Sequence, residues 1–465
     1  MAHIQHPLAR RAFLKRAAAM TALAGSPFAA NLAMMSDAVA QTVTDYKALV
    51  CVFLNGGNDH GNTIAPISGV NYNAYASARN GIAIGQSSLL PITPAATTAG
   101  AYSGPAIGLH PALAGVKRLF DSGRCAVLAN VATLVQPTTK AQYNNGQLLP
   151  LQLFSHSDQQ NSWQTGFPDS PSQTGWLGRV GDAMLSANSG ANGASPVSMC
   201  MSLGGNNMIQ AGANVIQYQL TTQGSVQISG ISAQNGLHGN AANAALLRQV
   251  IEQTGSNNLF ENEYATIVRR SITADESVRA ALATAPASTG ALLANNPLAA
   301  QLNLVARMIA ARSSLGHKRQ IYYVTLGGFD FHSNLLTEQA DRLALVSSAL
   351  EAFYNATNTL GVGDQVTTFT ASDFGRALLA NGDGSDHGWG GHHFIVGGAV
   401  KGGKLYGRFP DYALGSVDDV GEGRLLPSTS VDEYAAVLAR WFGVTDLSAV
   451  LPHVTRFNSF NLDFL

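Results

Sequence analysis

Four apolar runs in this chain each stop at a cluster of carboxylates and imidazoles, and that repeated ending constrains the fold more than any other feature. ALVCVFLNGGNDHGNT ends in Asp59 and His60, and QIYYVTLGGFDFHSN in Asp330 and His332. QVTTFTASDFGR ends in Asp373. GSDHGWGGHHFIVGG then places Asp386, His387, His392 and His393 on a glycine-rich loop leading into Phe394–Val396. Runs without polar alternation suit strands buried on both faces of a parallel sheet. In open α/β sheets the ends of neighbouring strands converge on one crevice, so these endings are expected to meet.

The rest of the chain has the same grammar. LHPALAGVKRLFDSG has helical spacing and RCAVLANVAT reads as a buried strand. EQADRLALVSSALEAFYNAT and VDEYAAVLARWFGV read as helices. The expected fold is α/β, a mainly parallel central sheet flanked by helices. Residues 185–300 break the rhythm: SANSGANGASP is low-complexity, VSMCMSLGG and NVIQYQLTT look like strands, and three helical stretches follow. They read as an insertion or cap within a domain spanning 41–465, or equally as a continuation of its helix layer.

The first 40 residues read as an export signal. Arg10 and Arg11 precede Phe13-Leu14-Lys15, an Ala-rich stretch and a small-x-small site after Ala40, the pattern of a twin-arginine signal. This segment carries a surplus of +3; subtracting it from the whole-chain −1 leaves −4. Nothing basic remains to track phosphates, so nucleic acid is not expected as a partner. No later run is apolar enough to span a membrane. With 12% charged residues and 48 glycines, solubility falls to Ser, Asn, Gln and Thr, which suits a periplasmic or secreted protein that met the twin-arginine machinery. Cys51, Cys125 and Cys200 form no metal pattern, and one disulfide is open to them.

Asp and neutral His are the ligands of hydrolytic divalent metals. In an extended segment the D-x-H of Asp330 and His332 puts both side chains on one face. An isolated strand-end Asp is more simply a turn or helix cap, so the metal reading rests on several together. His392 and His393 are adjacent, so at most one reaches the ion. SHSDQQNSWQTG offers Ser155 at a helix start, either as an N-cap or as a nucleophile with His156 beside it. No G-x-S-x-G elbow, P-loop or dinucleotide fingerprint is present.

Taken together, the twin-arginine start, LVCVFLNGGNDHGNTIAP, SHSDQQNSWQTG, LGGFDFHSN, TFTASDFGR and DHGWGGHHFIVGGAVKGGKLYG resemble the bacterial domain-of-unknown-function 1501 family. That family is similar in fold to the alkaline phosphatase and sulfatase superfamily, whose members use one or two divalent metals and a Ser, Thr or modified Cys nucleophile. The resemblance implies metal ligands at Asp59, Asp330, His332, Asp373 and His387. In a second alignment Asp386-His387 is the superfamily's Asp-His pair and His393 its last His. Phe374 stands where active phosphatases commonly have His. The expected function is hydrolysis of a small or polymer-linked phosphate or sulfate ester with one or two divalent ions, Zn, Mn, Ca or Fe. The alternative is a noncatalytic secreted or surface binding protein.

Overall fold

ALVCVFL folds as the strand Lys47–Leu54, buried from Ala48 onward. Its alternate residues face two cores. Ala48, Val50, Val52 and Leu54 pack with helices Pro297–Ala310, Leu335–Thr359 and Ala114–Asp121. Leu49, Cys51 and Phe53 pack with Trp176–Ala187 and Val431–Phe442. Covering both faces removes each large side chain from water, a gain of roughly 1.5–3 kcal/mol apiece. Val431–Phe442 is set by a capping box between Ser430 and Glu433 and ends at Gly443. The computed structural model describes residues 43–187, 195–232, 236–253, 258–285, 295–457 and 462–465; the expected export signal lies outside them.

Lys47–Leu54 pairs in parallel with Val366–Ser372 on one side and Arg319–Leu326 on the other. Cys200–Ser202 and Tyr218–Thr221 continue the sheet in parallel, and Gly224–Ser225 closes that edge antiparallel. On the other side follow Gly391–Gly397 and Cys125–Ala132, which also pairs with Leu405–Tyr406 and Thr429–Ser430. This ten-stranded sheet is mixed and mostly parallel, with helices on both faces.

Gly391–Gly397 runs against both neighbours. The chain reaches it from Val366–Ser372 through a hairpin, Arg376–Ala380 with Ser385–His387, so no crossover helix reverses its direction. The stretch read as a glycine-rich loop is therefore partly strand. Residues 185–300 supply three strands at one end of the sheet as well as the helices Ala241–Ile251 and Leu259–Thr284 and the start of Pro297–Ala310. Part of the expected insertion thus continues the central sheet. All three cysteines are buried and free, so the disulfide left open by the sequence does not form. Among the described residues no helix is long and apolar enough to cross a membrane.

Candidate metal centre

In parallel register Leu54 lies level with both Leu326 and Ser372, so the loops that follow these three strands leave one edge of the sheet side by side. Gly391–Gly397 starts at that same edge, and its incoming segment delivers His387 from the opposite direction. The loops touch because the first begins with two glycines. A Cβ at Gly56, which has φ +114°, would lie 2.5 Å from the Asp330 nitrogen. One at Gly57, φ +79°, would lie 2.4 Å from the Phe374 ring. Only glycine accepts both the backbone and the contact. Gly56 N–H donates to Asp373 Oδ2 at 3.2 Å, and Gly56 C=O accepts from Arg376 Nη1 at 3.0 Å.

Three imidazoles and one carboxylate converge above this floor. His387 Nε2 lies 3.1 Å from His156 Nε2 and 3.0 Å from His332 Nε2. Asp330 Oδ1 is 3.1 Å from His332 Nε2 and 3.4 Å from His387 Nε2, while Oδ2 is 3.4 Å from His156 Nε2. Ligand atoms of His156, Asp330 and His387 all fall within 4.8 Å of one another. Tetrahedral donors about 2.0–2.1 Å from one ion are separated by about 3.3 Å; the atoms of His156, Asp330 and His387 suit one coordination sphere, and His332 flanks it beside Asp330 and His387.

The second nitrogen assigns the proton of His156 and of His387. His387 Nδ1 lies 2.6 Å from the Phe154 carbonyl, which only accepts, so Nδ1 carries the hydrogen. His156 Nδ1 faces Asp373 Oδ2 at 2.7 Å and His332 Nδ1 faces Asp386 Oδ1 at 3.3 Å, both carboxylates. The Nε2 lone pairs of His156 and His387 therefore face each other 3.1 Å apart beside Asp330, an arrangement that repels itself unless a cation or proton sits between them. Hydrogen bonding to Asp373 raises the His156 pKa against its partial burial, whereas burial lowers that of His387. Burial alone would raise Asp330, but the hydrogen bond and charge of Arg376, at 2.8 Å, hold it below the usual carboxylate value. Phe374 packs against the rings of His156 and His387, with centroids 4.7 and 4.8 Å away.

Of the residues expected as ligands, the structure brings Asp330, His332 and His387 together and adds His156, expected as a catalytic neighbour of Ser155. Asp330 and His332 meet through a turn rather than an extended segment, His332 N–H donating to Asp330 C=O at 3.1 Å. Asp373 stands behind His156 as an acceptor, and Asp386 Oδ1 lies 3.3 Å from His332 Nδ1.

Asp59 and His393 are not brought to the cluster. Asp59 is fully buried, caps His60–Thr63 through Asn62 N–H at 2.9 Å, and spends its other oxygen on Arg79 at 2.7 Å and Ser385 at 3.1 Å. Burial alone would raise its pKa, but Arg79 outweighs it and the group is held low. His393 packs against Trp163 and Tyr434, and burial pushes its pKa down to about 3. His392 points the other way, toward Asn130 N–H and the Tyr412 hydroxyl. Ser155 is the N-terminal cap residue of helix His156–Thr165, but its hydroxyl donates to Asp158 Oδ2 at 2.5 Å rather than accepting from the backbone.

Sequence reasoning missed Arg376. Its side chain is fully buried and ties Asp330 to Gly56 C=O and to Ser385 C=O. Its only sequence signal is a cation three residues after a strand-end acid.

A family model described as "Protein of unknown function (DUF1501)" matches residues 46–455. The chain belongs to this family. Comparison with curated proteins finds no match. Among solved structures, this DUF1501 chain is similar to Ps i-CgsB at 10% identity, covering 89% of this chain and 77% of that one, with a TM-score of 0.37. It is similar to the PsFucS1 sulfatase from Pseudoalteromonas sp. at 10% identity, covering 90% and 72%, TM-score 0.32. The soluble domain of lipooligosaccharide phosphoethanolamine transferase A from Neisseria meningitidis matches at 8% identity, covering 90% and 92%, TM-score 0.31. Likeness at this level says nothing of the chain's chemistry.

Proposed function

We propose that this DUF1501 chain is an exported, metal-dependent hydrolase of phosphate or sulfate esters with alkaline-phosphatase-like architecture. One observation carries the reading: Nε2 of His156 and of His387 and a carboxylate oxygen of Asp330 lie close enough to share one ion, while Nδ1 of each of these two rings is anchored on an acceptor, Asp373 and Phe154 C=O. Anchored rings of this kind are the outer-shell arrangement of metal-bound histidine. His156, His387 and Asp330 would hold one ion, with His332 beside them, and imidazole nitrogens with one carboxylate favour Zn or Fe over Ca. Asp59 and His393, also expected as ligands, are engaged elsewhere.

A divalent ion there supplies Lewis acidity toward the ester oxygen. The side chains do the rest. Arg376 keeps Asp330 ionised, and Asp373 and Phe154 C=O hold the His156 and His387 rings in one tautomer. Ser155, next to His156, is the candidate attacking group, and Asp158 is placed to take its proton. Twin-arginine export and a periplasmic or secreted location belong to the same proposal, as does a substrate that is a small or polymer-linked ester.

The noncatalytic alternative is favoured by one observation, that the Ser155 hydroxyl engages Asp158 and Ser157 rather than the cluster. Elemental mass spectrometry of the purified protein and of an Asp330→Ala, His332→Ala variant tests the metal, and an ester screen with Ser155→Ala tests the chemistry. About one equivalent of metal, lost in the double variant, with ester turnover that Ser155→Ala abolishes, is expected. Bound metal without turnover favours the binding protein; no bound metal ends the metallohydrolase reading.

A further inference from the structure

A cleft of about 270 Å³ opens beside the cluster. It shares that wall: Asn55 precedes Gly56, and Ser157 follows His156. Six carboxamides line it, those of Asn55, Gln160, Asn161, Gln164, Asn206 and Asn207, and no charged side chain does so among the described residues. Some of these amides are fixed by the fold. Gln164 Oε1 accepts from Met208 N–H at 2.9 Å and Ile209 N–H at 3.1 Å, and Gln160 Nε2 donates to Asn55 Oδ1 at 2.8 Å. Others keep free valence: among the described residues Asn161 has no side-chain partner, nor do Gln160 Oε1, Gln164 Nε2 and Asn206 Nδ2.

A lining of this kind selects by exclusion. A phosphate or sulfate calls for cations or charge-assisted donors, which the cleft lacks. An alkyl or aryl group would leave several carboxamides facing it unpaired, at a cost of about 1–3 kcal/mol for each. Hydroxyls both donate and accept, as carboxamides do, so a polyhydroxylated ring satisfies the cleft from either end of each amide. The volume lies at the small end of ligand pockets and fits one ring rather than a chain.

We propose that this cleft holds a neutral sugar ring, the uncharged part of an ester whose phosphate or sulfate lies at the cluster. The proposal rests on the hydrolase reading and names its substrate class. The two regions divide the labour: the cluster takes the charged group and the amides read the hydroxyls.

The test is calorimetric titration of the full protein with the 6-sulfates and 6-phosphates of glucose and galactose, against ethyl sulfate and ethyl phosphate as probes without a sugar. At least one sugar ester is expected to bind about tenfold or more tightly than its ethyl counterpart, as two or three net hydrogen bonds would give. An Asn161→Ala, Asn206→Ala variant with an unchanged melting temperature is expected to erase that difference. Equal affinity for sugar and ethyl esters, or a preference that survives the double substitution, overturns the proposal. Metal content measured on the same samples separates the two readings. Full metal with no sugar preference ends the cleft proposal alone, whereas a metal-free protein that prefers sugar esters ends the hydrolase reading and keeps the sugar site.

Discussion

Replacing Asp373 by Asn tests whether His156 is a ligand held by its neighbour. The Asp373 side chain is almost fully buried; Oδ2 accepts from His156 Nδ1 at 2.7 Å and from Gly56 N–H at 3.2 Å, while Oδ1 has no partner. Asparagine keeps the shape and an acceptor but removes the charge, so the bond to His156 falls from charge-assisted to neutral strength. That difference is about 1–2 kcal/mol. It is borne by the metal-bound state, where an ionised acceptor makes the imidazole a better donor to the ion. Metal affinity should therefore weaken about 5- to 30-fold, overlapping the roughly 10- to 100-fold seen when outer-shell partners of metal-bound histidine are changed. Competition between the metal-loaded protein and a chromophoric chelator measures this directly. The melting temperature of the chelated form is the control for folding, because asparagine keeps an acceptor for Gly56 N–H and only exchanges the unpartnered oxygen for an amide nitrogen. An affinity equal to the parent's would refute the argument, since His156 would then either not bind the ion or not depend on Asp373.

Arg376→Met should destabilise the chain by about 2–4 kcal/mol in chemical denaturation, because it strips the Gly56 and Ser385 carbonyls and the half-exposed Asp330 of their shared donor at once; a loss under 1 kcal/mol would contradict that role. Gly57→Ala should cost about 1–3 kcal/mol from its positive φ and the clash with Phe374, and a Phe374→Leu background should relieve part of it. Asp432 lies in the first turn of Val431–Phe442, and burial pushes its pKa from 3.8 up to about 7. The folded state thus keeps a proton that the unfolded chain has released, so this group's contribution is full below about pH 4 and is lost as pH rises to about 7, at roughly 1.4 kcal/mol per pH unit. Asp432→Asn should accordingly gain stability over the parent as pH rises from 5 to 8 and match it near pH 4; a difference independent of pH would disprove the assignment.

The strands of the central sheet were legible because nothing competes with the reading of ALVCVFL, QIYYVTL or VTTFTAS: each is uncharged, rich in β-branched or aromatic residues, and ends at glycine or a polar turn. The direction of HHFIVGG was not legible. Direction depends on whether the preceding link is a hairpin or a crossover, and the Arg376–Ala380 arm of that hairpin looks like loop until its partner is known. His156 was legible only as a companion to Ser155, since it lies in a polar stretch far in sequence from the other three donors. What makes it a ligand is the placement of helix His156–Thr165 over the strand ends, a tertiary fact. Asp373 and Asp386 carry the same sequence signal whether they touch the ion or the ring behind it, and only direction separates the two roles.

Asp59 and Asp330 show how little of a site's chemistry resides in its local motif. Both follow a strand and a Gly-Gly pair, in GGNDH and GGFDF, and both meet an arginine at 2.7–2.8 Å. The sequence just beyond them decides the outcome. His60–Thr63 starts a helical turn at once, so the Asp59 carboxylate turns inward to cap it and is enclosed with Arg79 where no ion or ester reaches. After Asp330 no helix begins until Leu335, and Phe329 and Phe331 on either side are buried instead. The backbone is anchored by its neighbours, which leaves the carboxylate at the surface, about half exposed, with Arg376 beneath it and three imidazoles around it. A buried ion pair already has its counter-charge, whereas a carboxylate held at the rim by one cation still has oxygen lone pairs to offer, and that difference makes Asp330, not Asp59, the acid on which a metal site can be built.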